Sequence, residues 1–396
     1  LQDAIDNAFG WLGGWVDNNI SNPVLAGLLG DGIIGGVGAV LTFVPQILLM
    51  YLLLALLDAV GYMSRAAFLM DKVMSRAGLE GRAFVAMLSS FACAIPGIMA
   101  TRTIPSAKDR IATMLGVPLA TCSARLPVYV LLVGMLIPNA AQVGPFSGRG
   151  VAMFLLYLLG AVSAMTAAWV VKKITDRSGL LLPFYMEMPP YRIPTLRSVG
   201  IAMWEPTKAF LHKAGTIIML TTIIIWALTT FPMRSNAELT KAGIDPGNDV
   251  AVAAYTMDHS IAARVGKAVE PVFEPLGFDW RVDVSLIGSL AAREVAVSSL
   301  GQMASATDPE DDTEVAQQLD RWTWTHGEHQ GEKIFTPATI VALILFFAYA
   351  LQCMSTVAIM KRETGGWKWP AIAFGYMFVL AWMMAFIGHL VTNLLI

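Results

Sequence analysis

Residues 84–100 read Phe84-Val85-Ala86-Met87-Leu88-Ser89-Ser90-Phe91-Ala92-Cys93-Ala94-Ile95-Pro96-Gly97-Ile98-Met99-Ala100, and how they meet a lipid bilayer decides the fold. The stretch is apolar, but a helix that crosses the hydrocarbon core needs about 20 such residues. Here Cys93-Ala94-Ile95-Pro96-Gly97 interrupts the run. Proline removes a backbone donor and clashes with the preceding turn, so a regular helix does not continue through it. The spacing predicts two half-helices that enter and leave on one side. Such backbone survives at membrane depth only where protein or a water-filled cavity surrounds it. A second short stretch, 284–301, carries Arg293-Glu294 in its middle and reads the same way.

Six longer apolar stretches flank these two, at 35–62, 111–137, 151–171, 215–231, 337–360 and 370–391. Of the 396 residues, 56% are apolar and only 14% are charged, whereas soluble domains carry about 25% charged residues. That excludes a water-soluble fold and predicts an all-α integral membrane protein with about six transmembrane helices and two re-entrant or broken segments. The net charge of -2, with Lys and Arg scattered between apolar runs, speaks against a nucleic-acid partner. Three cysteines, an odd number, make no disulfide framework. The chain starts at Leu1 rather than Met, and 1–32 lack a basic region followed by a signal-like apolar core, so the sequence is expected to be part of a longer chain.

Basic loops stay in the cytoplasm, which sets the side of each segment. Segments 64–82, 101–110, 172–213 and 361–369 are basic and are expected inside. Segments 1–32 and 302–336 are acidic and are expected outside, with 138–150 and the long loop 232–283. The signs agree only if 84–100 returns to the inside and 284–301 to the outside. The order of crossing, re-entrant piece, broken crossing and plain crossing then occurs twice, in opposite senses. This predicts an extracytoplasmic segment 1–32, a first repeat 33–213 and a second repeat 214–396. Inverted repeats with discontinuous helices in matching positions are a mark of secondary transporters, whose site lies where the broken helices meet.

The residues with chemistry at those breaks are few. Cys93 lies in the first re-entrant piece, Cys122 in the broken crossing Thr121-Cys122-Ser123-Ala124-Arg125-Leu126-Pro127, and Cys353 in Gln352-Cys353-Met354-Ser355. Thiolates and thioethers are ligands for soft or borderline metals such as Fe(II), Zn(II) or Cu(I), which makes these cysteines, with Met99 and Met354 beside them, candidate metal ligands. A lone membrane cysteine is otherwise a packing residue. Glu294 and Asp58 join the candidates because a carboxylate at membrane depth is costly unless it faces a cavity or a partner; the structural alternative is an ion pair of either with Arg125 or Arg293. The loop segment His326-Gly327-Glu328-His329 could collect cations, or be solvated surface. No H-E-x-x-H and no P-loop motif occurs, so a zincin-type peptidase and P-loop nucleotide hydrolysis find no residues here.

The stretches Phe91 to Thr103 and Cys122 to Tyr129 resemble the first gate of the bacterial ferrous iron transport protein B (FeoB) family. Gly61 to Phe68, Pro189-Pro190-Tyr191-Arg192-Ile193-Pro194, and Cys353 to Glu363 with the following Gly-Trp-Lys-Trp extend the similarity over most of the chain. The resemblance implies an inner-membrane Fe2+ uptake permease with two gate repeats, in which the cysteines matching Cys93 and Cys353 line the metal path. It further implies an upstream cytoplasmic GTPase domain using GTP and Mg2+, small cytoplasmic Feo accessory proteins as partners, and leaves homo-oligomerisation open. Where the family's first gate usually reads Gly-x-Gly-Cys-Asn-Val-Pro, this chain has Ser90, Ala92 and Ala94; Gln352 stands in place of a proline and Asp58 in place of a glutamate. The alternatives are transport of another divalent metal or of a nucleoside-like solute, and a thiol-using membrane enzyme or sensor.

Overall fold

The computed structural model describes residues 2–395 apart from 21, 43, 77, 139–140, 176–194, 232–254, 257–258, 291–292, 294, 304–311 and 325–329. The described chain is mainly helical, with one short β-hairpin of β1 (Gln142–Val143) and β2 (Phe146–Ser147) that turns at Gly144 with a φ of 63°. The helices are α1 (Gln2–Asn19), α2 (Pro23–Gly27), α3 (Gly35–Thr42), α4 (Val44–Ala59), α5 (Tyr62–Arg76), α6 (Gly81–Ala92), α7 (Ala94–Ala100), α8 (Ala107–Gly116), α9 (Leu126–Leu136) and α10 (Gly148–Thr175). They continue with α11 (Leu196–Phe210), α12 (Thr216–Thr230), α13 (Ile261–Phe273), α14 (Trp280–Ser289), α15 (Val295–Met303), α16 (Asp312–Leu319), α17 (Pro337–Tyr349), α18 (Met354–Thr364) and α19 (Lys368–Leu395).

Among the described residues five helical stretches are long and apolar enough to cross a membrane: Val24–Ala59, Ala107–Leu136, Gly148–Thr175, Pro337–Thr364 and Lys368–Leu395. The chain is a multi-pass membrane protein. The sixth expected crossing, 215–231, is the 15-residue α12, which follows α11 through a π-helical turn at Leu211–Gly215. Several stretches read as connecting segments contain helices, among them α1 and α2 in 1–32 and α11 in 172–213. The basic 64–82 falls mostly in α5, the long 232–283 contains α13 and the start of α14, and 302–336 contains α16. α5 and α13 are amphipathic, with apolar residues on one face only, so neither shows as a continuous apolar run.

One order of elements occurs twice: an apolar helix (α4, α12), an amphipathic helix (α5, α13), a close pair (α6–α7, α14–α15), a broken helix (α8–α9, α17–α18) and an unbroken 28-residue helix (α10, α19). The caps recur as well. Ser106 Oγ accepts the Asp109 amide at the start of α8, and Thr336 Oγ1 accepts the Thr339 amide at the start of α17, each satisfying a donor that the first turn leaves free.

The chain forms two units, each drawing on both halves of the sequence. The first comprises 1–123, 157–223 and 354–374, the second 124–156, 224–353 and 375–396. In the first, α6 packs between α5 and α7, and α18 packs on α7. Close approach is made with small residues: a Cβ on Gly116 would stand 2.6 Å from the Ala164 carbonyl oxygen. Lys172 and Asp109 form a buried ion pair there. In the second unit α9 packs on α15, α16 and α17, beside an aromatic cluster of Phe273, Phe278, Phe346 and Phe378 with centroids 5.7–6.3 Å apart. Each broken helix contributes one half to each unit.

Candidate functional site: thiols at helix breaks

The first break is the turn between α6 and α7. Cys93 is its single non-helical residue, with extended φ -157° and ψ 137°. Pro96 sits in the first turn of α7, where its missing N–H would have had no helical partner. The two helices then fold back on one another. A Cβ on Gly97 would lie 2.8 Å from the Ala86 carbonyl oxygen and 2.9 Å from Ser90 Cβ, so only glycine fits that approach. This is the hairpin that the sequence predicts for 84–100.

The second break separates α8 from α9. Residues Ala120 to Cys122 are non-helical between single 3-10 turns at Val117–Leu119 and Ser123–Arg125. Pro118 and Pro127 flank it. Ser123 Oγ donates to the Ala92 carbonyl at 3.0 Å, tying this break to the tip of the first hairpin. Cys93 and Cys122 are the chain neighbours of the two residues so joined. Thr121 is fully buried, and Gly160 of α10 is pressed against it, a Cβ there falling 2.4 Å from Thr121 Oγ1.

The third break, Ala350 to Cys353, lies in the second unit and has no proline. Ala350 ends α17 in an extended conformation, and its carbonyl accepts Arg293 Nη2 at 2.9 Å. Arg293 is 4% exposed and belongs to the turn of the second pair, α14–α15. That pair is also a hairpin, fastened by Ser285 Oγ to the Ala296 carbonyl and to Ser299 Oγ, both at 3.0 Å. Each hairpin tip is thus hydrogen-bonded to the break that follows it in sequence.

All three cysteines are half-buried, and none is in a disulfide. Met99 on α7 and Met354 at the start of α18 are exposed, at 38% and 41%. Asp58 is exposed in the last turn of α4, ahead of the turn at Gly61, and so stands at a helix end rather than in a break. Glu294, His326 and His329 lie outside the described residues. Arg125 is wholly buried. Of the two ion-pair partners expected for the carboxylates, Arg293 serves a backbone carbonyl. Among the described residues no three His, Cys, Asp or Glu side chains converge as a ready metal cage. Sequence reading passed over Gln352 as a ligand: it is 2% exposed, with a buried amide oxygen that has no hydrogen-bond partner, next to Cys353. Its signal was a polar residue inside an apolar run.

The family model for Gate, nucleoside recognition, matches residues 40–136 and 211–367, one segment in each copy of the element order. A second model, for the C terminus of ferrous iron transport protein B, matches 153–205. This chain belongs to the Gate family. Relatives include the Fe(2+) transporter FeoB of Leptospira interrogans, 39% identical over 99% of this chain and 55% of that protein. The FeoB of Methanocaldococcus jannaschii is 35% identical over 99% of this chain and 53% of that protein. A Porphyromonas gingivalis protein named as a fusion of Fe(2+) transport protein A with FeoB is 39% identical over 98% of this chain and 47% of its own length. The chain spans about half the length of these curated FeoB relatives. No solved structure matches it.

Proposed function

We propose that this FeoB-type chain is the permease portion of a ferrous iron uptake transporter in a bacterial inner membrane. The observation that carries this reading is that all three cysteines stand at non-helical breaks, two of them beside hydrogen-bonded hairpin tips, in a chain whose relatives are named Fe(2+) transporters. Unwound turns present carbonyl oxygens and free side chains, and Fe(II) accepts both oxygen and thiolate donors. Cys93 and Cys122 in the first unit, Cys353 in the second, and the Gln352 amide oxygen would each exchange with water of the passing ion. Met99, Met354, Glu294 and Asp58 would act as flanking donors.

In the same reading the two gate repeats, 33–213 and 214–396, run in opposite senses through the bilayer. No catalytic step is assigned to these residues. GTP and Mg2+ would act through a cytoplasmic GTPase domain elsewhere in the protein, and the FeoA fusion supports a small Feo accessory protein as partner. A second reading, transport of a nucleoside-like solute, is favoured only by the description of the Gate family. Uptake into proteoliposomes separates them: Fe(II) under reducing conditions should enter and be unaffected by excess nucleoside. Nucleoside uptake without Fe(II) uptake would overturn the proposal, and equal entry of Mn(II) or Zn(II) would widen it to divalent metals.

A further inference from the structure

At the base of the second hairpin, away from the thiol breaks, the buried carboxylate of Asp283 lies within electrostatic reach of two others, Asp279 and Glu270. Asp279 caps α14, accepting the amides of Arg281 and Val282 at 3.0 and 3.2 Å, and its other oxygen takes Arg281 Nε at 2.7 Å. Asp283 follows one turn later and Glu270 approaches from α13, which is held close because a Cβ on Gly266 would meet the Trp280 carbonyl oxygen at 2.7 Å. Asp283 is completely buried, and neither of its carboxylate oxygens has a hydrogen-bond partner.

The cations nearby are committed elsewhere. Arg281 holds Asp279, donates to the Thr323 carbonyl at 2.6 Å and lies over the Trp322 ring at 4.4 Å. Lys267 of α13 lies over the Trp280 ring at 5.2 Å, Arg264 on the same helix is exposed, and α15, packed on the other side, has no titratable residue. The first copy of the element order shows the contrast. There Asp109, third residue of α8, is paired with Lys172, the twenty-fifth of α10. The same places in α17 and α19 hold Thr339 and Thr392, neither of them charged.

An ionised carboxylate in this setting is costly, and a buried group without a counter-charge escapes by taking up a proton. Asp283 is the last residue of the stretch expected as an outer loop. Burial, then Asp279, then Glu270 push its carboxyl up to about 9. We infer that Asp283 is a proton-binding site at the base of the second hairpin, holding a proton on its carboxyl near neutrality and giving it up to water in alkali. Only the O–H bond of the carboxyl breaks.

Infrared difference spectroscopy on the chain in lipid nanodiscs, with isotope-labelled aspartate, tests this directly. A protonated-aspartate carbonyl band should be present near neutrality, disappear reversibly as the pH passes about 9, and be absent from Asp283→Asn. Asp283→Glu keeps the carboxyl and should remove the band from the aspartate-labelled spectrum, which covers the case in which the amide variant does not fold. The sign for stability follows from a folded-state value above the unfolded one: the proton's contribution is full in acid and is lost as pH rises toward that value. The melting temperature of the native chain should therefore fall relative to Asp283→Asn between mild acid and alkali. No protonated-aspartate band near neutrality, or one that survives both substitutions, would overturn the site. Neither result bears on the thiols.

Discussion

At the scale of single residues, the thiols and one glycine make separable predictions. Cys93→Ser and Cys353→Ser keep the volume of the side chain and lose the soft ligand. Fe(II) uptake should drop roughly tenfold or more, the scale on which even an outer partner of a metal ligand matters, with expression and melting temperature near native. Uptake unchanged in both would leave the cysteines as packing residues. Cys122→Ser should be milder, because the two prolines flanking its break shape that turn without a ligand. Gly160→Ala, by contrast, is a test of packing. The added methyl would collide with Thr121 Oγ1 and with the Thr121 amide nitrogen, 2.4 and 2.9 Å away. Overpacking of this kind costs about 1–3 kcal/mol, so thermal unfolding should show a clear loss, and an unchanged midpoint would mean α10 does not press on that break.

At the scale of elements, the two hairpin-to-break hydrogen bonds differ in what they protect. Ser123→Ala removes a neutral donor from the Ala92 carbonyl and should cost about 1 kcal/mol. Arg293→Met strands the Ala350 carbonyl and takes away a charged donor, a loss of about 1.5–3 kcal/mol. The order of the two melting temperatures checks this, and a larger drop for Ser123→Ala would contradict it. These elements also show how far the sequence could be read. The first hairpin and the first broken crossing were legible because Pro96 and Pro127 forbid a regular helix, and the second hairpin because Arg293-Glu294 interrupts a short apolar run. The break at Ala350 was visible only through its polar residues, since what holds it is Arg293, 57 positions earlier in the chain. α13 was missed because its charges lie on one face, a pattern that hydropathy averages away. At the candidate site the cysteines were found from sequence, while Gln352 as a donor and the carbonyl partner of Arg293 needed coordinates. Glu363 was likewise silent. It is 4% exposed at the side chain and is held by Arg102 Nε at 2.9 Å and Arg110 Nη2 at 2.8 Å, joining α8 and α18 within the first unit.

At the scale of the whole molecule, charge predicts sidedness. A single cysteine replacing Ser147, in the exposed β2, in a background without other cysteines should react with an impermeant maleimide added outside. One at Ser75 or Ser106 should react only after the membrane is opened. Labelling of Ser75 from outside would reverse the orientation, and labelling of Ser147 only from within would remove the opposed senses of the two repeats. The two unbroken helices carry a further consequence. At 28 residues each, α10 and α19 are stiff rods about 42 Å long, against a hydrocarbon core of about 30 Å and a bilayer of about 40–45 Å with its headgroups. The hairpins and kinked segments can adjust to lipid; these rods can only lean. Bilayer thickness is therefore a variable the protein responds to, and a series of lipids with lengthening acyl chains should carry its transport rate through a maximum.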